Sequence, residues 1–227
     1  MISIIVPVFN EEVALREFIP HIDSCISGKD AELIFVDGGS TDNTVSLCSQ
    51  SGANVYTSPQ QGRSSQMNYG ASKAKGSVLY FVHVDSLPPI SFLDDIVENV
   101  SRGYSSGCYR LSFNQDHYML RFYTWFTRFD INLFRFGDQS LFVEKEKFDE
   151  INGFDESLKV MEDQQIVREL KKVGEFVVMK KKIVTSSRKY MEVGIIKLQL
   201  IFTAVVCLFY FGVSQKVIAN FYRNRLK

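Results

Sequence analysis

The first 85 residues alternate apolar runs of strand length with segments of helical period, and this alternation constrains the fold more than any other feature. Ile2 to Phe9 is β-branched and apolar on both faces, and Asn10-Glu11-Glu12 breaks it. Residues 11–27 then put Val13, Leu15, Phe18, Ile19 and Ile22 on one helical side, with Pro20 as the residue expected to kink or split that helix. Glu32 to Val36 reads as a second strand. It runs into Asp37-Gly38-Gly39-Ser40-Thr41-Asp42, where Ser40 or Thr41 would cap the following helix. Asn54 to Thr57 is a third strand and Gly62 to Lys75 a helix. Ser77 to Val82 is a fourth strand, ending at His83-Val84-Asp85. Strands apolar on both faces are covered on both sides, and this repeat gives right-handed βαβ units around a parallel sheet. Ligands of such sheets bind beyond the carboxyl ends of the strands. Asn10-Glu11, Asp37 and Asp85 all fall on that rim.

Composition narrows the function classes. The chain has 227 residues, 45% hydrophobic and 23% charged, which suits one large folded domain or a domain with an appendage. Its four cysteines are dispersed, there is no C-x-x-C, and there are only three histidines. Neither a zinc cluster nor a disulfide framework is expected, and a reducing compartment fits. The sequence lacks G-x-G-x-x-G after the first strand, a G-x-x-x-x-G-K-[ST] loop and a G-x-S-x-G elbow. Dinucleotide dehydrogenases, P-loop NTPases and elbow-type hydrolases are thereby disfavoured. The opening residues carry no basic n-region and read as a strand, not a signal peptide.

The second half is less regular. Cys108 to Phe113 reads as a strand, and Met161 to Val173 as a helix that begins with Glu162-Asp163. Tyr118 to Phe136 is rich in Phe, which favours burial, so core packing is the preferred reading of that run.

The chemistry-bearing residues are acidic. Asp37, Asp85 and Asp163 each stand at the end of an expected element. A carboxylate near bound phosphates holds Mg²⁺ or Mn²⁺, and a second, partly desolvated carboxylate takes a proton from an incoming hydroxyl. Singly, each residue has a plainer account. Asp37-Gly38-Gly39 makes a turn, Glu162-Asp163 supplies first-turn charge to a helix, and His83 is a hydrogen-bonded strand-end residue. In series the motifs say more. IIVPVFNEE, VDGGSTDNT, GRSSQMNYGASKAKG, HVD, NGFDE and MEDQQIVREL occur in that order over about residues 2–190. The series resembles the family 2 glycosyltransferases of GT-A fold, and GDQSLF at Gly137 to Phe142 with the basic C-terminal helix resembles a compact subgroup of them.

That resemblance implies an α/β fold in which a Rossmann-like nucleotide-binding half continues into a mixed sheet with an acceptor-side half, followed by C-terminal helices. It implies an inverting transfer of sugar from a nucleotide-diphosphate sugar, a UDP-sugar, to a hydroxyl acceptor, with Mn²⁺ or Mg²⁺ as cofactor. Nucleotide contacts are implied at Pro7, Phe9, Glu11, Asp37 and Arg63, the metal at Asp85 and the catalytic base at Asp163. His83, which replaces the first acid of the D-x-D motif, stands with Asp138, Gln139 and Glu162 as a donor or acceptor contact. Asn68 and Gly70 are open to a packing role. The rival reading is a nucleotide-sugar-binding partner or regulator without catalysis, for which His83 is the sequence support.

Residues 1–190 are read as the glycosyltransferase domain and 191–227 as a basic, apolar helical segment. Residues 171–227 carry 12 Lys or Arg against two acids, while residues 1–170 carry 14 against 24. Leu198 to Gln215 is uncharged over 18 residues, with a denser apolar core of only 14. A membrane span needs roughly 17–25 apolar residues. Three readings stay open for 194–227: a helix lying on the anionic inner membrane face, a core or homodimer helix, and a span. A cytoplasmic protein, peripheral on that face, follows from the first. Nucleic acid is not expected as a partner, because the basic residues surround an apolar run instead of forming a uniform basic surface.

Overall fold

The computed structural model describes residues 1–225. One eight-stranded mixed sheet, in the order β3-β2-β1-β4-β7-β6-β8-β5, runs through the molecule. Its first half is the expected repeat: β1 (Ile2–Val8), α1 (Glu12–Ile26), β2 (Ala31–Asp37), α2 (Thr44–Gln50), β3 (Asn54–Thr57), α3 (Arg63–Lys73) and β4 (Val78–Phe81). β1 pairs in parallel with both β2 and β4, and β2 with β3. β5 (Ser86–Leu87) and α4 (Phe92–Ser101) lead into β6 (Ser106–Phe113) and α5 (Tyr118–Trp125), followed by three short 3-10 turns. β7 (Leu141–Glu144) runs antiparallel to β4 and β6. α6 (Lys145–Glu150), α7 (Glu162–Val173) and β8 (Phe176–Thr185) come next, and β8 pairs parallel to β6 and antiparallel to β5. α8 (Arg188–Val193), α9 (Ile195–Tyr210) and α10 (Gln215–Arg225) close the described chain.

Hydrophobic cores lie on both faces of the sheet. One packs α1 and α4 on the sheet through Leu15, Phe18, Ile22, Phe92 and Ile96. The other packs α3, α6 and α7 through Met67, Ala71, Phe148, Ile166 and Leu170. Covering both faces is why β1 is apolar at nearly every position and does not alternate.

Four local expectations are corrected. α1 passes through Pro20 without interruption. Ser40 and Thr41 do not cap α2: the Ser40 hydroxyl accepts from the Asn10 N–H at 2.9 Å and the Thr41 N–H donates to Asn10 Oδ1 at 2.8 Å, so both staple the β1–α1 loop. Asp42 Oδ1 instead accepts from the Thr44 N–H at 3.0 Å. The 118–136 run is only partly core, with Leu120, Thr127 and Arg135 buried. Tyr118, Phe122, Trp125, Phe129 and Phe136 are exposed, and their rings pack mainly on one another, as Phe122 does on Phe126 and Trp125 on Phe129. The apolar C-terminal run is two helices, broken at Gly212, whose φ of +72° is left-handed. Among the described residues no helix is long and apolar enough to cross a membrane.

α3 positions the site, and Gly70 sets how closely it lies on the sheet. A Cβ at Gly70 would stand 2.5 Å from Ile5 Cγ2 and 3.0 Å from Val36 Cγ2. Both neighbours are β-branched and buried, so neither rotates away. Gly70→Ala would gain about 0.5–1 kcal/mol of helix propensity and lose about 1–3 kcal/mol to overpacking. The clash wins, and urea unfolding is expected to give a net destabilisation of about 1–2 kcal/mol with an unchanged m-value.

Candidate active site

The carboxyl ends of β1, β2 and β4 open onto one cleft, and the β1 and β2 ends are tied together. Gln66, buried in α3, donates from Nε2 to the carbonyls of Val8 at 2.9 Å and Val36 at 2.8 Å. Asp37, 3% exposed at the end of β2, accepts from the Gly39 N–H at 2.9 Å and the Ser40 N–H at 3.1 Å. Its carboxylate holds the glycine turn, and Oδ1 is the less engaged oxygen. Phe9 stands half-exposed past β1, with Pro7 partly buried behind it. Asn10 adopts a φ of +54°, tolerated because its short amide bonds locally to the 40–41 turn.

Across the cleft, α3 and α7 meet. Arg63 Nη1 lies 3.6 Å from Glu162 Oε1, with Glu162 buried and Arg63 half-exposed. Asp163 follows Glu162 on the first turn of α7, and Met161, at a left-handed φ of +71°, turns the chain into that helix. Burial pushes the Asp163 carboxyl up to about 8; Glu162 and Asp138 add to the rise, while Arg63 and the Gly137 N–H oppose it. Asp138 is likewise raised, first by burial and then by Asp85. Glu11 is raised by burial and by Asp85, against Arg188 and Arg63.

His83, Asp85 and Asp138 offer one ligand atom each, all within 4.8 Å of one another. His83 Nδ1 lies 3.7 Å from Asp138 Oδ1. Burial and the Arg63 charge hold His83 well below the ordinary imidazole range, so it is neutral and its lone pair is free for a cation. The donor set of one imidazole and two carboxylates suits a divalent cation.

Gln139 lines the cavity beside His83, Gly137 and Asp163, but its amide is committed to backbone. It is 1% exposed, its Nε2 donates to the Tyr109 carbonyl at 2.9 Å, and its Oε1 accepts from the Phe136 N–H at 3.0 Å. It braces the turn that carries Asp138. Asn68 also serves packing: its amide exchanges hydrogen bonds with the Phe154 backbone at 2.9 Å in both directions and reaches Glu156.

Gly137, read from sequence only as part of the GDQ motif, and Arg188 and Lys189, not read as site residues, also bear on the site. Gly137 has no room for a side chain, since a Cβ would meet Asp163 Oδ2 at 2.5 Å and His83 Cε1 at 2.8 Å. The signal was the glycine itself, ahead of Asp138. Arg188 and Lys189 follow β8, and their charges lower the Glu11 and Asp138 carboxyls respectively against the effect of burial. Sequence reading had counted both among the basic residues of a membrane-facing tail.

Comparison with known proteins agrees with this geometry. Residues 3–150 match the family described as Glycosyl transferase family 2. An undecaprenyl-phosphate 4-deoxy-4-formamido-L-arabinose transferase of Pectobacterium atrosepticum is 30% identical over 112 residues, 45% of this chain and 34% of that protein. The chain spans about a third of the length of the curated relatives it matches. Among solved structures, S. aureus TarS 1–349 superposes with a TM-score of 0.69 at 16% identity, covering 99% of this chain and 71% of that one; TarS 1–349 has also been solved with UDP-GlcNAc. The mannosyltransferase PcManGT of Pyrobaculum calidifontis, in complex with GDP-Man and Mn²⁺, gives 0.68 at 15% identity over 85% of this chain and 59% of that one. The fold is GT-A.

The raised Asp163 has a consequence for stability. Between the ordinary carboxylate range near 4 and about 8, the folded chain keeps a proton here that the unfolded chain releases, so stability falls as pH rises through that window. Asp163→Asn removes the cost. In EDTA the variant is expected to melt above the wild type at pH 8 and level with it at pH 4, read by thermal denaturation across that range.

Proposed function

The chain belongs to glycosyl transferase family 2, and from that premise we propose that it transfers a sugar from a nucleoside-diphosphate donor, a UDP-sugar, to a hydroxyl acceptor with inversion at the anomeric carbon. The observation that carries this reading is the convergence on one cleft of Asp163, in the first turn of α7 against Gly137 and His83, and the His83–Asp85–Asp138 triad. Phe9 and Pro7 supply an apolar wall for the base, and the free lone pair of Asp37 Oδ1 supplies an acceptor for its edge. Arg63, oriented by Glu162, faces the diphosphate.

The triad would hold the cation, Mn²⁺ or Mg²⁺, which when bound neutralises charge on the leaving diphosphate. Asp163 takes the proton of the acceptor hydroxyl as that oxygen bonds to the anomeric carbon. The bond from that carbon to the diphosphate oxygen breaks on the opposite face, and its electron pair leaves with the nucleotide. A carboxylate raised by its surroundings is a stronger base than one in water, which suits this role.

Residues 194–227 are proposed to rest on an anionic inner membrane face, which supports a peripheral cytoplasmic location. α9 leaves Ile196, Leu200 and Tyr210 exposed, Phe211 follows them, and Arg223 and Arg225 stand in the last turn of α10. The prenyl-phosphate substrate named for the Pectobacterium relative is consistent with such a position. Flotation with anionic liposomes is expected to carry the chain upward and to fail with neutral ones. A stable homodimer that ignores both would overturn the membrane reading and favour a partner helix.

Asp163→Asn is expected to lower turnover by about 10²–10⁴-fold with nucleotide affinity within a few-fold of wild type. Asp85→Asn is expected to abolish the effect of EDTA on nucleotide binding. Donor hydrolysis and transfer assays read the first, and calorimetric titration reads the second. A wild-type chain that binds nucleotide sugar yet transfers none to any acceptor or water would favour the non-catalytic binding reading.

A further inference from the structure

α5 turns its most apolar stripe outward. Tyr118, Phe122, Trp125 and Phe129 follow one side of a helical path, and all four are exposed. Leu120 and Thr127 are buried instead, and the Thr127 hydroxyl accepts from the Leu111 N–H of β6 at 3.0 Å. Ile131 and Leu133 extend the exposed patch toward α7. Side chains this apolar are ordinarily placed inside, and a contiguous group of them outside marks a surface that something covers.

The lobe that carries them is firmly built. Arg135, fully buried, turns its guanidinium to carbonyls of its own segment: Nη2 donates to Thr127 at 2.9 Å and to Phe129, and Nε donates to Ile131 at 3.4 Å. Three backbone acceptors of a stretch without regular helix are thereby satisfied from within. That bears on what the cover is, because irregular backbone approaches hydrocarbon only when its polar groups are paired inside the protein.

Charge points the same way. The acids at this surface are already paired, Asp116 with Arg121 Nη1 at 3.3 Å and Asp130 with Lys171 Nζ at 2.5 Å. The Arg128 guanidinium lies 4.8 Å from the Trp125 ring centroid, and its Nε donates to the Trp125 carbonyl at 3.0 Å, which leaves the two Nη groups for an external anion. Aromatic rings beside such a guanidinium settle at the headgroup level of an anionic bilayer. A second copy docked through the same face would bring like charge to like charge. The patch is also continuous with α9. Gln164, buried in α7, donates from Nε2 to the Leu133 carbonyl at 3.1 Å and accepts at Oε1 from the Tyr210 hydroxyl at 3.2 Å. One amide thus joins the exposed Leu133 to the exposed Tyr210 at the end of α9.

We infer that residues 118–136 dock on an anionic lipid bilayer, with Phe122, Trp125 and Phe129 in the interface and Arg128 on lipid phosphate. This rests on the membrane placement proposed above for 194–227 and extends it from one helical segment to a two-part face. The lobe runs straight into Gly137 and Asp138, so the contact brings the Asp138 side of the cleft to the lipid surface.

Trp125 is the sole tryptophan of the chain, so its fluorescence reads this lobe and not α9. The test titrates the full chain with vesicles of phosphatidylcholine containing phosphatidylglycerol, and with vesicles of phosphatidylcholine alone. The anionic vesicles are expected to move the emission to shorter wavelength, and lipids brominated in their acyl chains to quench it. Phe122→Ser combined with Phe129→Ser, both at exposed positions, is expected to weaken vesicle affinity by about tenfold or more. The quenching needs no variant, so it decides the matter even if that variant fails to fold. Flotation of the wild type with unmoved, unquenched Trp125 would overturn this inference and leave 194–227 as the whole membrane contact. No flotation and no change in emission would overturn both. A blue shift that grows with protein concentration in buffer, together with a dimer in sedimentation and no response to vesicles, would overturn it in favour of a second copy.

Discussion

The cleft is built on an electrostatic conflict. Glu162 is buried, Asp163 and Asp138 crowd it, and Asp85 and Glu11 stand nearby, with Arg63 as the cation directly paired among them. Left in water, these carboxylates would repel and separate. The fold holds them together, and backbone strain collects where it does so. Among the described residues, three of the four non-glycine residues with positive φ, Asn10, Ser140 and Met161, lie in segments that carry a cleft residue; the fourth, Asn152, follows α6. Such conformations cost about 1–3 kcal/mol each and persist only where surrounding contacts enforce them. Here the enforcement is visible: Asn10 is stapled to the 40–41 turn, and Ser140 shares hydrogen bonds with Tyr80 and its own turn. A site strained this way gains from a ligand that brings positive charge.

The same logic explains why one short motif reaches so far. Within GRSSQMNYG, Arg63 pairs with α7, Ser65 and Asn68 hold Glu156, Gln66 joins β1 to β2, and Gly70 lets the helix settle on Ile5 and Val36. Five residues of one helix thus engage α7, Glu156 and the ends of β1 and β2. A substitution at Asn68 or Gly70 touches no ligand and still moves Arg63, because the rigid unit between them is two turns of helix.

The first half of the fold was legible because its signals are local. β1, β2 and β4 are apolar on both faces, and their polar ends fall on one rim by the geometry of βαβ units. Asn10, Glu11, Asp37 and Asp85 could thus be gathered on one rim, whereas Asp163 joined them only through the family resemblance. The second half was not legible, because its pairings are not local. β7 enters antiparallel between β4 and β6, and β8 lies parallel to β6 from some seventy residues away, with a bulge between Tyr109 and Arg110. No periodicity in 104–185 encodes that order. The capping prediction at Ser40 and Thr41 failed for a related reason: a residue thirty positions earlier, Asn10, competes for both groups. The bracing role of Gln139 was not legible, because an amide beside an acid reads as a ligand, whereas here it satisfies buried backbone at the edge of the cavity.

The C-terminal segment joins these two lessons. Composition alone made it an appendage, since its run is too short to span a bilayer and too apolar for solvent. Packing makes it partly core: Leu198, Ile201 and Val205 form one buried stripe of α9, and Ile218 and Ala219 anchor α10. A helix that is apolar all round has use for more than one covered face. α9 gives one stripe to the protein and leaves Ile196, Leu200 and Tyr210 outward. Its ring contacts, Phe202 with Tyr190 of α8 and with Tyr222 of α10, tie that helix to both neighbours, so the outward stripe sits on an element held from both sides.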